Sequence, residues 1–206
     1  MDLKRTSFTC EVSAPNKKRK IITVKKTPSN LVTYLYEKIG LCEEAVAARA
    51  KENFQHPTPE KIEMYTMEVT RAVREDDLDT LKELHASGAV LDCCSRFGES
   101  LVHIASRRSH TRIVKFLLEE AKVSVHHVDD LHRNPLHDAC WTSTPNFEIV
   151  EMILKVAPEH AICRDKRGHM PFDYVREDNR GEWIEFFRSR LSLLLPKGEL
   201  TNLSRQ

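Results

Sequence analysis

Three groups of residues in this chain are of types that can do chemistry. His137, Asp138 and Cys140 stand close together, and a histidine one helical turn from a cysteine is a candidate base–nucleophile pair. Cys93 and Cys94, with His126 and His127, supply sulfur and imidazole of the kind that holds zinc. Lys17, Lys18, Arg19 and Lys20, shortly after Pro15, form a basic cluster of the kind that acidic pockets on an import carrier read. Zinc sites need ordered spacing, and the cysteines at 10, 42, 93, 94, 140 and 163 include no Cys-x-x-Cys pair. A working thiolate needs an exposed, electropositive setting. Whether Cys140 has one depends on the elements that carry it.

The chain's 206 residues allow one domain, or one domain and a tail. Hydrophobic residues make up 40% and charged residues 31%, a balance that predicts a soluble protein with much surface per unit of core. The formal charge of +1 gives no global field toward nucleic acid or membrane. The charge is uneven, however. Residues 1–28 hold eight basic and two acidic side chains, a net +6, which leaves −5 for the rest. The first residues lack an apolar core of signal-peptide length, and no run of about 18 apolar residues occurs. The expectation is a protein of the nucleus or cytoplasm, with reduced thiols and no membrane span.

Self-similarity governs the architecture. Segments starting at Ser95, Asp129 and Asp165 align, 34 and 36 residues apart. They contain Ser100-Leu101-Val102-His103, Asn134-Pro135-Leu136-His137-Asp138-Ala139 and Met170-Pro171-Phe172-Asp173. Each precedes an apolar helical stretch, at 113–118, 149–154 and 183–187. The pattern resembles the ankyrin repeat, whose mark is Thr-Pro-Leu-His-x-Ala at a period of about 33. A half-matched unit at 68–89, ending on Gly88, reads as helix, turn, helix. The resemblance therefore covers about residues 60–192. It implies an all-α solenoid of about four helix-turn-helix units with hairpin loops, plus an N-terminal helical extension. One such unit cannot bury its own apolar face, so neighbours must stack.

Local residues agree with this reading. Gly98 and Gly168 stand where a turn requires positive φ, and His132 holds the same place in the middle copy, which predicts a strained or different turn. Pro135 and Pro171 are placed to open helices. The middle repeat has two extra residues around Pro145, which predicts a longer loop between its helices. Trp183, Phe186 and Phe187 read as core of the last repeat, with one of them partly solvated at the open end of the stack.

The resemblance also bears on the chemistry. In the family, the histidine of each repeat ties hairpin to helix, which makes His103 and His137 structural, and Cys140 falls in a packed first helix. No enzyme, no cofactor and no metal is expected. Partner contacts in the family cluster around the turn glycine and the outer end of the first helix. Here those positions are Arg96, Phe97, Glu99, Arg107 and Arg108; then Asp130, Leu131, Arg133, Trp141 and Thr142; then Lys166, Arg167, His169 and Glu177. The function implied is a non-catalytic adaptor or scaffold that holds a protein partner on its hairpin tips and concave face. Trp and Arg are frequent anchors of interface energy, and the basic row would favour an acidic partner surface. Two plainer readings stand beside this: Trp141 packs on the inserted loop, and the arginines form a solvated face.

The flanks complete the division. Residues 1–28 form a polar basic arm, expected to be disordered; its cluster is either an import signal or a solvated charge run. The alternative function is a nuclear regulator that touches nucleic acid through this arm. The absence of interleaved aromatics and the acidic body argue against sequence-specific reading. Residues 29–57 form the helical extension, with Leu31, Leu35, Ile39, Cys42, Val46 and Ala50 at helical steps and Gly40 dividing them. It either packs on the exposed end of the stack or binds a partner separately. Residues 58–195 hold the repeats, 196–206 form a flexible tail, and a monomer is expected.

Overall fold

A computed structural model describes residues 27–195. Residues 1–26 of the basic arm, with Lys17, Lys18, Arg19 and Lys20, and the tail from 196 lie outside the described residues, whereas Thr27 and Pro28 of the arm open the first helix.

The described chain is helical, with isolated β-bridges rather than strands. α1 (Pro28–Lys38) and α2 (Glu43–Glu52) precede a short α3 (Pro59–Glu63). Three helix pairs follow: α4 (Met67–Arg74) with α5 (Leu78–Ala86), α6 (Leu101–Arg107) with α7 (Thr111–Glu119), and α8 (Pro135–Cys140) with α9 (Phe147–Val156). α10 (Arg180–Ser189) is the second helix of the last unit.

The boundaries follow from side-chain chemistry. Thr27, Thr58, Thr66, Asp77, Asn134 and Asn146 each cap a helix by accepting from a backbone N–H of its first turn. Pro28, Pro59 and Pro135 occupy first-turn positions, where a missing N–H costs nothing. Gly40 has φ +72° and separates α1 from α2. Gly88, just beyond α5, has φ +101°, a left-handed helix stop.

Each second helix points one apolar face inward. Ile113, Val114, Phe116 and Leu117 of α7 are buried, as are Ile149, Val150, Ile153 and Leu154 of α9. Each such side chain contributes about 1.5–3 kcal/mol of burial. First helices pack on first helices (α4, α6, α8) and α7 on α9, so one core runs the length of the stack.

Two expectations need correction. The last repeat's first helix is only a 3-10 turn, Pro171–Tyr174, followed by a second, Glu177–Asn179. Pro171 opens it, but no apolar helical face follows before α10. Trp183, Phe186 and Phe187 are moreover all buried, none of them partly solvated. Leu194 and Leu195 and the buried Val32, Leu35 and Tyr36 of α1 join the same core.

The N-terminal extension packs rather than projects. From α3 back to α1 it runs along the loops that lead from each second helix into the next finger. The Lys61 carbonyl accepts from Cys94 N–H, and Gln55 exchanges backbone bonds with His126 and Val128. α2 lies on the turn Pro158–Ile162, and α1 on the turn Pro171–Tyr174 and α10. The exposed end it covers is thus the C-terminal one.

Candidate functional site: the fingers and the concave face

Each of the last three repeats opens on a finger built the same way. Ser95, Asp129 and Asp165 donate their N–H to the carbonyl four residues on, at 2.9, 3.0 and 3.0 Å. Their side-chain oxygens accept two backbone N–H groups across the turn. The tips have φ +82° at Gly98, +60° at His132 and +85° at Gly168. His132 therefore makes the same turn as its glycine counterparts and bears the left-handed strain, about 1 kcal/mol or more. The fingers lie side by side: Asp130 N–H donates to Phe97 O at 2.7 Å, and Lys166 N–H to Leu131 O at 2.9 Å.

The histidines link first helix to finger. Ser100 N–H donates to His103 Nδ1 at 3.2 Å, which leaves Nε2–H to donate to Arg133 O at 3.0 Å, on the next finger. His137 repeats this with Asn134 N–H at 3.2 Å and His169 O at 3.3 Å. Burial pushes both imidazoles down to about 4, so both are neutral at pH 7. They are structural ties between repeats.

These observations match a family description. A family model of ankyrin repeats in three copies fits residues 69–163. The chain is an ankyrin-repeat protein. Ankyrin repeats are, in general, protein–protein interaction modules. The matched span stops before the Gly168 finger, where the unit departs from the pattern: Asp173 takes the histidine's place and the first helix shortens.

The ankyrin scaffold brings most of the anticipated contact residues onto one surface. Arg96 lies over the Phe97 ring, 4.6 Å from its centroid, and both are exposed. Phe97, Glu99, Asp130 and Arg133 line a shallow groove of about 320 Å³ between the Gly98 and His132 fingers. Leu131 is half-buried beside it, and Lys166, Arg167 and His169 are exposed on the Gly168 finger. Trp141, 51% exposed, lies on Tyr174 with ring centroids 5.1 Å apart. His169 meets the same tyrosine edge-on. Trp141 thus packs on the next repeat, while the inserted turn stands at 141–146 between α8 and α9.

Other anticipated residues spend their polar groups internally. Glu99 accepts from Tyr65 Oη–H and pairs with Arg107. Arg107 also approaches Asp138, at 3.9 Å. Arg133 is held by Asp129, at 2.6 Å. The Thr142 hydroxyl donates to carbonyls of its own repeat, and Glu177, displaced into the 3-10 turn, pairs with Arg180. Arg108 reaches back to the Arg74 carbonyl. No carboxylate of the described residues lies within ion-pair distance of Arg96, Arg108, Lys166 or Arg167.

Asp138 was read only as a chemical candidate beside Cys140, and two side chains of this face were not anticipated: Tyr65 and Tyr174. Tyr65 stands 34 residues before Glu99, and Tyr174 stands 36 after Asp138. Extending the repeat register to the outermost units finds them.

The other chemical candidates resolve as structure. Cys140 is buried and its thiol is pushed well above the ordinary range by burial. Burial likewise raises Cys93 to about 12. Buried His127 donates from Nε2 to Asp92 at 2.8 Å, and Lys61 Nζ lies 2.9 Å from the same carboxylate. No group of three or more His, Cys, Asp or Glu among the described residues is placed to hold a metal. No helix among them is long and apolar enough to cross a membrane.

Proposed function

We propose that this ankyrin-repeat protein is a non-catalytic adaptor of the nucleus or cytoplasm, a monomer that holds a protein partner on its fingers and concave face. The observation that carries the reading is the pairing of a satisfied frame with unspent tips. The histidine ties and finger-to-finger bonds engage backbone carbonyls of Phe97, Leu131, Arg133 and His169, while Phe97 and Trp141 side chains stay half exposed. A preformed surface loses little ordering entropy on binding.

The charge of the surface supports an acidic partner. Arg107 and Arg133 are neutralised within the protein, so the cations free to meet such a partner are Arg96, Arg108, Lys166 and Arg167. The test is capture with the full chain and a Phe97→Ala/Arg108→Ala/Trp141→Ala variant of unchanged helical content. Proteins retained by the wild type alone are expected; an identical set on both baits would refute the face.

A further inference from the structure

The second helices leave an open groove of about 760 Å³ between α7, α9 and α10. Its apolar floor holds Phe147, Met152 and Phe186, with the first and last stacked at 4.5 Å. Its rim is acidic. Five glutamates and three cations line it, a net −2. Glu151 is taken by Lys155 at 2.9 Å and Arg190 at 3.2 Å. Glu119, Glu148 and Glu182 have no cation within ion-pair distance among the described residues, and Lys115 is the lining cation likewise unpaired. A ligand that fits must offer several positive charges and a short apolar stretch.

The chain carries such a segment. Lys17, Lys18, Arg19 and Lys20 are followed by Ile21, Ile22 and Val24, then Lys25 and Lys26. Residues 1–26 sum to +6 and residues 196–206 to +1, so the chain's +1 leaves −6 for residues 27–195. The segment joins the fold at Thr27, the cap of α1, and α1 packs on α10, which forms one wall of the groove. Ile21 stands six and Val24 three residues before Thr27, roughly 20 and 10 Å of extended chain. Point of attachment and charge agree.

We propose that the basic arm docks in cis in this groove, with Ile21, Ile22 and Val24 over Phe147, Met152 and Phe186 and the lysines on Glu119, Glu148 and Glu182. Docking covers Lys17–Lys20 and withholds that cluster from an import carrier or any other acidic reader. Salt or a competing polyanion releases it, because rim pairs of this kind are screened beyond a Debye length of about 10 Å at 0.1 M.

The test is zero-length carbodiimide cross-linking of the full chain, made as a mixture of isotopically light and heavy protein and read by mass spectrometry. Links from Lys17–Lys26 are expected on groove glutamates, within one isotope, and fewer by at least fivefold at 0.5 M salt. Glu148→Lys/Glu182→Lys should lower the links on the remaining Glu119, Glu151 and Glu185 at least fivefold. Glu63→Lys/Glu83→Lys, equal in charge and remote, should change them less than twofold. Glu148→Gln/Glu182→Gln gives an intermediate loss without introducing lysine, and circular dichroism confirms each fold. Links scattered over all exposed glutamates, or equal losses in the groove and control variants, overturn the proposal. Light-to-heavy links would assign the groove to a second copy's arm and overturn docking in cis.

Discussion

The Ser29 hydroxyl donates to the Asp173 carboxylate, joining residues 144 apart in the chain. Asp173 occupies the position of His103 and His137, and like them it accepts a backbone N–H three residues back, from Met170 at 2.8 Å. Where the histidines reach onward to the next finger, Asp173 meets α1 instead. The N-terminal helix thus stands where a fifth repeat would begin. A stack with no such cover would leave Phe172, Trp183 and Phe187 against water, as terminal units of repeat proteins must avoid.

Removing that cover should loosen the last repeat first. Val32 is fully buried against the core, so Val32→Asp places a carboxylate there and should cost about 3 kcal/mol or more. In a Trp141→Phe background, emission reports the buried Trp183. A red shift at denaturant concentrations too low to unfold the remainder is expected. An unshifted, single transition would contradict a capping role for α1.

The three finger tips should respond differently to one atom. A Cβ at Gly98 would lie 2.2 Å from the Val128 carbonyl oxygen, on a backbone of φ +82°, whereas Gly168 has φ +85° and open space. Gly168→Ala should cost about 1 kcal/mol from φ alone, and Gly98→Ala several times more. His132→Gly should gain about 1 kcal/mol by relieving φ +60°. Thermal midpoints rank the three, at roughly 2–4 °C per kcal/mol for a chain of this size. Equal losses at Gly98 and Gly168 would count against close approach of the fingers.

Acid should unfold the protein through its tie histidines. Burial lowers His103 and His137 from 6.5 to about 4. Their neutral form is favoured by the fold, so their contribution is complete above pH 6.5 and declines as pH falls toward 4. Each adds a slope of about 1.4 kcal/mol per pH unit in that window. His137→Gln should flatten the dependence of urea midpoint on pH by one such slope. A profile identical to the wild type would remove His137 from the account.

Asp138 acts with the opposite sign. Burial raises its carboxyl from 3.8 to about 7, against the pull of Arg107 and Arg133. A raised acid binds its proton more tightly in the fold, so stability declines as pH rises from 4 to 7 and is level above that. Asp138→Asn keeps the shape and removes the titration. It should steepen the rise in stability between pH 4 and 6.5 and raise stability at pH 8, by an amount of order 1 kcal/mol or more. Lower stability at pH 8 in Asp138→Asn would show that the ionised carboxylate, paired with Arg107, is worth more than its burial costs.

Much of the architecture is legible in the chain because local chemistry repeats. The alignment of Ser95, Asp129 and Asp165 gives three like fingers, the expected turns follow from residue type and spacing, and the His103 and His137 ties follow from the ankyrin resemblance. The contact surface was harder to read. Glu99 and Arg107 look like free surface charge in sequence, but stacking sets them against Tyr65 and Asp138 of the neighbouring repeats, and Arg133 is taken by Asp129 within its own finger. Pairing of that kind depends on side-chain length and repeat rotation, which a string of letters does not contain. Pro171-Phe172 fits a helix start, yet Tyr174 lies on Trp141 and Asn179, in the next 3-10 turn, donates to the Ser143 carbonyl, both in the preceding repeat.

By itself, then, the sequence determined the repeating unit: where each finger turns, where a proline opens a helix and which face is apolar, since these depend on neighbours within a few residues. Only the tertiary structure decided where α1 goes, which charges cancel, and that Trp141 lies on Tyr174. Those outcomes turn on which open end of the stack exposes the most apolar surface and on contacts across more than 30 residues, and both exist only once the repeats have stacked.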